Sequence, residues 1–334
     1  MNTFPRPAGI LAAALVALIS PLAGHAVDTS RPEVQALAQR MADEHGIAVQ
    51  ESLEILAQAE IQPRIIEAMD RPAEKVKPWY EYRKIFLTEK RIEAGVAFWD
   101  THRAMLERIS AETGVPPEII IGILGVETFY GRITGSYRVL DALATIAFEY
   151  PKRSAFFTRE LEEFLLLSRE QDIDPLSATG SYAGAMGSPQ FISSSYRAYA
   201  TDGDGDGRVD LWNSWADILA SVANYFTAHR WQPGEPVVAR ANGTVPATSL
   251  SARPRLDQTL DGLKAAGVDF DRSGATGDKA MVFELEQESG PEYWVGFQNF
   301  YVITRYNRSN MYAMAVHQLG MEVAARMNSG DEPG

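Results

Sequence analysis

Helical periodicity runs through most of the chain and lapses in one region near its end. Pro32 to His45 (PEVQALAQRMADEH) carries apolar residues three and four positions apart and stops at Gly46, which suits the left-handed turn after a helix. Val49 to Ala59 and Pro63 to Met69 repeat the pattern in shorter pieces, and Pro72 and Pro78 punctuate the approach to Trp79-Tyr80-Glu81-Tyr82-Arg83. The spacing predicts a long helix from Glu89 to Thr113, closed by Gly114, and two more over Leu140 to Phe148 and Ser154 to Glu170. Between 231 and 300, turn clusters (Gln232-Pro233-Gly234, Asn242-Gly243, Ser289-Gly290-Pro291) bracket β-type runs at Met281 to Leu285 and Tyr293 to Phe297. One helix-like piece, Leu256 to Ala266, lies between the first turns and these runs. Helical spacing returns at Ser309 to Met327. The pattern predicts a mainly α protein of α+β class with a small α+β insertion, and no fixed period suggests a solenoid.

One predicted helix is not amphipathic. Ile119 to Tyr130 (IIIGILGVETFY) is apolar all round, which predicts burial, and Pro116-Pro117 supply a rigid first turn. Glu127 is the exception inside it. Its neighbours at helical spacing are Ile123, Leu124, Tyr130 and Gly131, none of them a cation. Burial there would disfavour the ionised carboxylate and raise its pKa. A carboxylic acid still protonated near neutral pH can act as a general acid. From this helix alone, a structural glutamate satisfied by a distant arginine or by backbone donors is the competing reading.

Asp202-Gly203-Asp204-Gly205-Asp206-Gly207-Arg208 matches an EF-hand calcium loop: aspartates at positions 1, 3 and 5, a turn glycine at 6, and the Arg208 backbone carbonyl at 7. Asp210 follows, and Asn213 stands where the closing glutamate belongs. A helix is predicted from near Trp215, so Asp217 in its first turn is the expected closing ligand of a lengthened loop. Hard oxygen donors favour calcium over zinc; a solvated acidic turn is the alternative. A single loop without the paired sensor arrangement predicts a structural role for the ion.

Gly180 to Phe191 (GSYAGAMGSPQF) is rich in small residues, which let a backbone approach a ligand or a neighbouring helix. Ser188-Pro189 reads as a helix N-cap and first turn that would project Gln190 from a helix start. Tyr306-Asn307-Arg308-Ser309-Asn310-Met311-Tyr312 mixes amides with aromatic faces, a combination suited to a carbohydrate cleft, and Tyr82 and Tyr225 could add platforms. Ordinary packing accounts for any one of these tyrosines taken singly.

Composition removes several classes. The net charge is −13, with 44 acidic against 31 basic residues and no Lys/Arg run, which argues against a nucleic-acid partner. There is no cysteine, so disulfides, thiolate metal sites, cysteine nucleophiles and lipid attachment at cysteine are excluded. The five histidines (His25, His45, His102, His229, His317) lack metal-ligand spacing, and neither a phosphate loop nor a Gly-x-Ser-x-Gly elbow occurs, so no organic cofactor is expected. Arg6, the apolar stretch Gly9 to Ile19 and the small residues Gly24-His25-Ala26 read as an export signal cleaved after Ala26. An uncleaved anchor is the alternative. No other segment approaches the ~18 apolar residues of a membrane span.

Taken in order, Gly125-Val126-Glu127-Thr128 with Gly131, Gly184-Ala185-Met186-Gly187 with Gln190-Phe191, the acidic loop and Tyr306-Asn307 resemble the lytic murein transglycosylases of the B type. The resemblance spans about Trp79 to Gly320 and implies a lysozyme-like helical core flanked by a helical domain and a small β-containing domain. It implies these units: a signal peptide at 1–26, an N-terminal helical domain at 27–95, a catalytic core at 96–230 with 301–334 that holds the EF-hand-like loop, and a small α+β domain at 231–300. It also implies cleavage of the β-1,4 bond between N-acetylmuramic acid and N-acetylglucosamine, leaving 1,6-anhydromuramoyl ends. Glu127 then matches the catalytic acid/base, while Tyr82, Ser181, Gln190, Tyr225, Tyr306, Asn307 and Tyr312 match cleft positions and Arg153 a basic residue facing the peptide stem. The metal set implied is Asp202, Asp204, Asp206, Arg208, Asp210 and Asp217 around a structural calcium ion. The expected protein is a soluble periplasmic monomer acting on peptidoglycan strands, with other cell-wall enzymes as candidate partners. Two competing functions are a hydrolytic muramidase, with Asp141 or Glu149 as second carboxylate, and a non-catalytic calcium-dependent peptidoglycan-binding protein.

Overall fold

The computed structural model describes residues 24–70, 77–272 and 274–330, so most of the expected export segment lies outside the described residues. In chain order the helices are α1 (Pro32–His45), α2 (Val49–Leu56), α3 (Pro63–Asp70), α4 (Trp79–Phe86), α5 (Glu89–Thr113), α6 (Pro117–Thr128) and α7 (Val139–Glu149). They continue as α8 (Ser154–Glu170), α9 (Ser193–Tyr199), α10 (Trp215–Ala228), α11 (Leu260–Ala265), α12 (Gln298–Tyr306) and α13 (Asn310–Gly330). The strands are β1 (His25–Ala26), β2 (Glu60–Ile61), β3 (Tyr137–Arg138), β4 (Thr179–Gly180), β5 (Val238–Asn242), β6 (Gln258–Thr259), β7 (Asp269–Phe270), β8 (Lys279–Gln287) and β9 (Gly290–Gly296). The fold is mainly α with short β elements, as the periodicity predicts.

The centre of the molecule is α6 packed on α13. An ideal Cβ on Gly122 would lie 2.3 Å from the Val316 carbonyl oxygen, and one on Gly320 would lie 2.0 Å from that of Glu118. Glycine at both crossings therefore brings the two backbones into contact. Beside them α7 is buried from Val139 to Phe148 and lies between α8 and the α3–β2 edge of the N-terminal helices. β1 pairs antiparallel with β2, so His25 and Ala26, expected at the end of the export signal, are seated in the fold. The boundary expected at residue 95 falls inside the continuous helix α5.

The five-stranded antiparallel sheet has the order β6-β8-β9-β5-β7. Strand β8 is buried on both faces. Met281, Phe283 and Leu285 join the large helical core, whereas Ala280 and Val282 join a second cluster with Leu260, Leu263 and Val295. Period-2 alternation thus makes this strand a middle layer between α12 and α11. Phe283 stacks on Phe300 of α12 with ring centroids 4.6 Å apart.

Four elements differ from the sequence expectation. Trp79–Phe86 is a helix because Pro78 caps it and Trp79 and Tyr82 bury one face. Gln298–Tyr306 is a helix too short for its period to stand out between two aromatic runs. β5 (VARAN) owes its extension to pairing with β9 and β7. The helix expected from Leu256 shortens to α11 because Gln258 and Thr259 pair with β8 instead.

Candidate active site and acidic loop

Helix α6 ends abruptly after Thr128. Phe129 (φ 51°) and Tyr130 (φ 59°) both take the left-handed conformation, and the Tyr130 N–H donates to the Leu124 carbonyl at 2.9 Å. Each such non-glycine residue costs on the order of 1–2 kcal/mol, so tertiary contacts must hold the turn. This reversal corrects the expectation for Glu127. Ile119 to Val126 are buried, but Glu127 is partly exposed, because the helix stops one residue later and opens its last turn. Tyr312 of α13 donates its hydroxyl to Glu127 Oε1. Burial first, then the negative charge of Glu127, push the Tyr312 and Tyr306 hydroxyls well above the ordinary tyrosine range, so both remain donors.

The other expected cleft residues gather from separate elements. Tyr306 donates to the Pro189 carbonyl at 2.6 Å, and its ring lies 4.7 Å from Tyr225 and 5.8 Å from Phe191. Tyr225 is buried and donates to the Arg305 carbonyl at 2.6 Å, so it backs Tyr306 rather than offering an open face. Tyr82 is also buried, in ring contact with Trp79 and Phe86, and its charge state is felt by Tyr312. Asn307 closes α12 directly after Tyr306. Arg153 sits at the start of α8 with its guanidinium over Phe156 and Phe157, and no described contact joins it to the Glu127 group.

The small-residue loop is built from turns. Ser188-Pro189 does not start a helix: Gln190 takes φ 55° and α9 begins only at Ser193, because Met186 pairs with Phe191 across the turn. Gln190 Nε2 donates to the carbonyls of Thr134 and Gly187, each at 3.0 Å. Ser181 Oγ accepts from the N–H groups of Ala183 (3.3 Å) and Ala185 (3.1 Å). Thr128 Oγ1 donates to the Ser188 carbonyl at 2.8 Å and accepts from the Gly131 N–H at 3.0 Å, tying this loop to the residue beside Glu127. Sequence reasoning missed Thr128 and also Arg91, whose Nη1 donates to the Gly125 carbonyl at 2.6 Å. Thr128 stood in the Gly125-Val126-Glu127-Thr128 run with no role assigned to it, and Arg91 carried no signal.

The acidic loop folds around its own carboxylates. Asp202 accepts from the N–H groups of Gly205 (2.6 Å) and Gly207 (2.8 Å), bonds that hold its pKa below the usual carboxylate value. Asp217, fully buried in the first turn of α10, accepts from Gly203 N–H at 2.8 Å and Asp210 N–H at 2.7 Å. Carboxylate oxygens of Asp202, Asp204 and Asp217 lie within 4.8 Å of one another. The Asp206 side chain instead accepts from Arg208 N–H, and Asp210 from Trp212 and Asn213. Three mutually repelling oxygen-donor groups gathered around one point fit a hard divalent cation such as calcium.

The transglycosylase SLT domain family matches residues 29–321. The chain belongs to this family. It is 43% identical over 304 residues to the membrane-bound lytic murein transglycosylase B of Escherichia coli strain K12, covering 88% of this chain and 83% of that protein. It also resembles the crystal structure of the soluble lytic transglycosylase SltB1 of Pseudomonas aeruginosa (TM-score 0.84, 49% identity), covering 89% of this chain and all of that one. A further match is the Escherichia coli lytic transglycosylase Slt35 in complex with calcium (TM-score 0.82, 42% identity), covering 93% of this chain and all of that one. These matches place the helical core in the lysozyme-like fold of the family.

In this transglycosylase the two acids considered as second carboxylates have structural partners. Asp141 accepts from Arg138 Nη2 at 2.6 Å and from the Glu60 N–H at 2.8 Å. Glu149 is ion-paired with Arg31 ahead of α1. Both acids tie α7 to the N-terminal segment. Among the described residues, no single helix is long and apolar enough to cross a membrane.

Proposed function

We propose that this transglycosylase cleaves the MurNAc-β-1,4-GlcNAc bond of peptidoglycan with Glu127 as sole general acid/base, releasing 1,6-anhydromuramoyl ends. The observation that carries the reading is that Glu127 faces the Tyr312–Tyr306 wall, while Asp141 and Glu149 are engaged by Arg138 and Arg31. In its protonated form, Glu127 gives its proton to the glycosidic oxygen as the bond to the anomeric carbon breaks. The resulting carboxylate, still held by the Tyr312 hydroxyl, then takes the proton of the substrate's own 6-hydroxyl, whose oxygen bonds to the anomeric carbon in place of water. Ser181, Gln190, Tyr306, Asn307 and Tyr312 line the saccharide path, backed by the buried Tyr225 and Tyr82, with Arg153 toward the peptide stem.

The calcium reading rests on the Asp202–Asp204–Asp217 group; Asp206 and Asp210, expected as further ligands with the Arg208 carbonyl, accept instead from Arg208, Trp212 and Asn213. Bound there, the ion supplies charge neutralisation and pins α10 to the loop that precedes it. The export signal, the periplasmic address and the division into a helical N-terminal part, a core and a 231–300 domain belong to the same reading. Mass analysis of fragments released from purified sacculi tests it: the wild type should yield ends lighter by one water than hydrolytic ends. Glu127→Gln should be slower by roughly a hundredfold or more. Hydrolytic ends would favour the muramidase reading, and an undiminished Glu127→Gln would remove the catalytic one.

A further inference from the structure

Resting on Glu127 as the acid/base, we propose that Arg91 is a positioning residue that fixes the catalytic carboxylate by clamping the end of α6. Arg91 lies in the first turn of α5, where its N–H is held by the Thr88 N-cap hydroxyl at 3.3 Å. From there its Nη1 donates to the Gly125 carbonyl at 2.6 Å, and its guanidinium lies 4.9 Å from the Phe129 ring centroid and 5.3 Å from that of Phe86. One side chain therefore grips the residue two before Glu127 and the residue two after it. A cation is suited to this place, because the last carbonyls of a helix run out of intrahelical donors and carry the negative end of its dipole.

Helix α5 contributes a second fixing point one turn further on. Gly95, four residues after Arg91 and so on the same face, receives the Tyr130 side chain. An ideal Cβ on Gly95 would lie 2.4 Å from the Tyr130 hydroxyl, and one on Gly125 would lie 2.8 Å from it. Among the described residues the buried Tyr130 hydroxyl has no hydrogen-bond partner, so the ring is held by its fit. A guanidinium bond and a glycine socket, both on α5, hold the two successive left-handed residues that follow the catalytic position. Ser181 and Gln190 come from the 180–191 loop and Tyr306 and Asn307 from the end of α12, so loosening this clamp displaces Glu127 from Tyr312 and leaves those residues on their own elements.

Steady-state kinetics on soluble glycan strands tests this. Arg91→Ala should lower kcat by about tenfold to a hundredfold, the scale expected for misplacing a reacting group by an ångström, and leave KM within about twofold. Methylguanidinium added at millimolar concentration should restore part of the lost kcat, Arg91→Lys should fall between wild type and alanine, and Gly95→Ala should reproduce the kcat loss by displacing Tyr130. A lower melting temperature with wild-type kcat, a loss confined to KM, or a kcat loss that no guanidinium compound relieves would overturn the clamp. If Arg91→Ala does not fold, Arg91→Lys decides, wild-type kcat there being the overturning result. Glu127→Gln measured alongside separates the two claims. If it stays active the acid/base reading falls, whereas an inactive Glu127→Gln beside a fully active Arg91→Ala removes the positioning claim alone.

Discussion

At the scale of the residue, the contact that matters most is the Tyr312 hydroxyl on Glu127 Oε1. A hydrogen bond to a charged group contributes about 1.5–3 kcal/mol, and a loss of that size felt in the transition state corresponds to roughly 10- to 100-fold in rate. Tyr312→Phe keeps the buried ring and removes only the donor, so kcat should fall by that factor with KM little changed, read from initial rates on solubilised murein. An unchanged kcat would mean that the bond does not hold the carboxylate during the reaction. Glu127 stood out as a candidate because it is a lone acid in an apolar run. Its partial exposure was not, since periodicity describes the body of a helix and says little about where its last turn opens. Arg91 was illegible for a different reason: an arginine in the first turn of an ordinary helix looks like solvent-facing charge until the carbonyl it caps is brought to it.

At the scale of the element, the acidic loop and the small-residue loop are joined. The Ser188 N–H donates to the Leu211 carbonyl at 2.9 Å, and Ser188 accepts in turn from Thr128, so the segment after the aspartates braces the wall beside Glu127. Calcium bound to the folded loop should raise stability by about 2.7 kcal/mol at a free concentration one hundred times its Kd. Chelation should therefore lower the melting temperature, and Asp217→Asn, which alters the buried member of the carboxylate group, should abolish the response to chelator. A melting curve indifferent to chelation would remove the ion from this loop. The aspartate spacing and the placement of Asp217 beside Asp202 and Asp204 were readable from sequence, because the loop and the first turn of α10 form one local segment. The Ser188-Pro189 turn was not. The same dipeptide starts a helix or closes a turn according to whether Met186 and Phe191 meet, and that is settled outside the motif.

At the scale of the whole molecule, the shared strand β8 couples the two hydrophobic clusters. With Phe283 and Leu285 in one cluster and Val282 in the other, neither can melt without exposing the far face of the sheet. Calorimetry should show one cooperative transition; two separated transitions would mean that the 231–300 segment unfolds alone. The same measurement has a pH dependence. Burial pushes the His317 imidazole on α13 from its ordinary value near 6.5 to about 4, and among the described residues its Nδ1 has no hydrogen-bond partner. The unfolded chain binds this proton more readily than the folded one, so the stability it contributes is complete above pH 6.5 and lost progressively as pH falls toward 4. His317→Gln should flatten that part of the decline, and an unaltered slope would assign the acid sensitivity elsewhere. By itself the sequence determined the helical class, the β-containing insertion, the acid at position 127 and the oxygen-rich loop. Each of these is written in spacing along a single segment. What closes α6, which tyrosine bonds the acid, which carboxylates are tied up elsewhere and which strand joins the two cores were decided by tertiary structure alone, because each depends on groups brought together from distant parts of the chain.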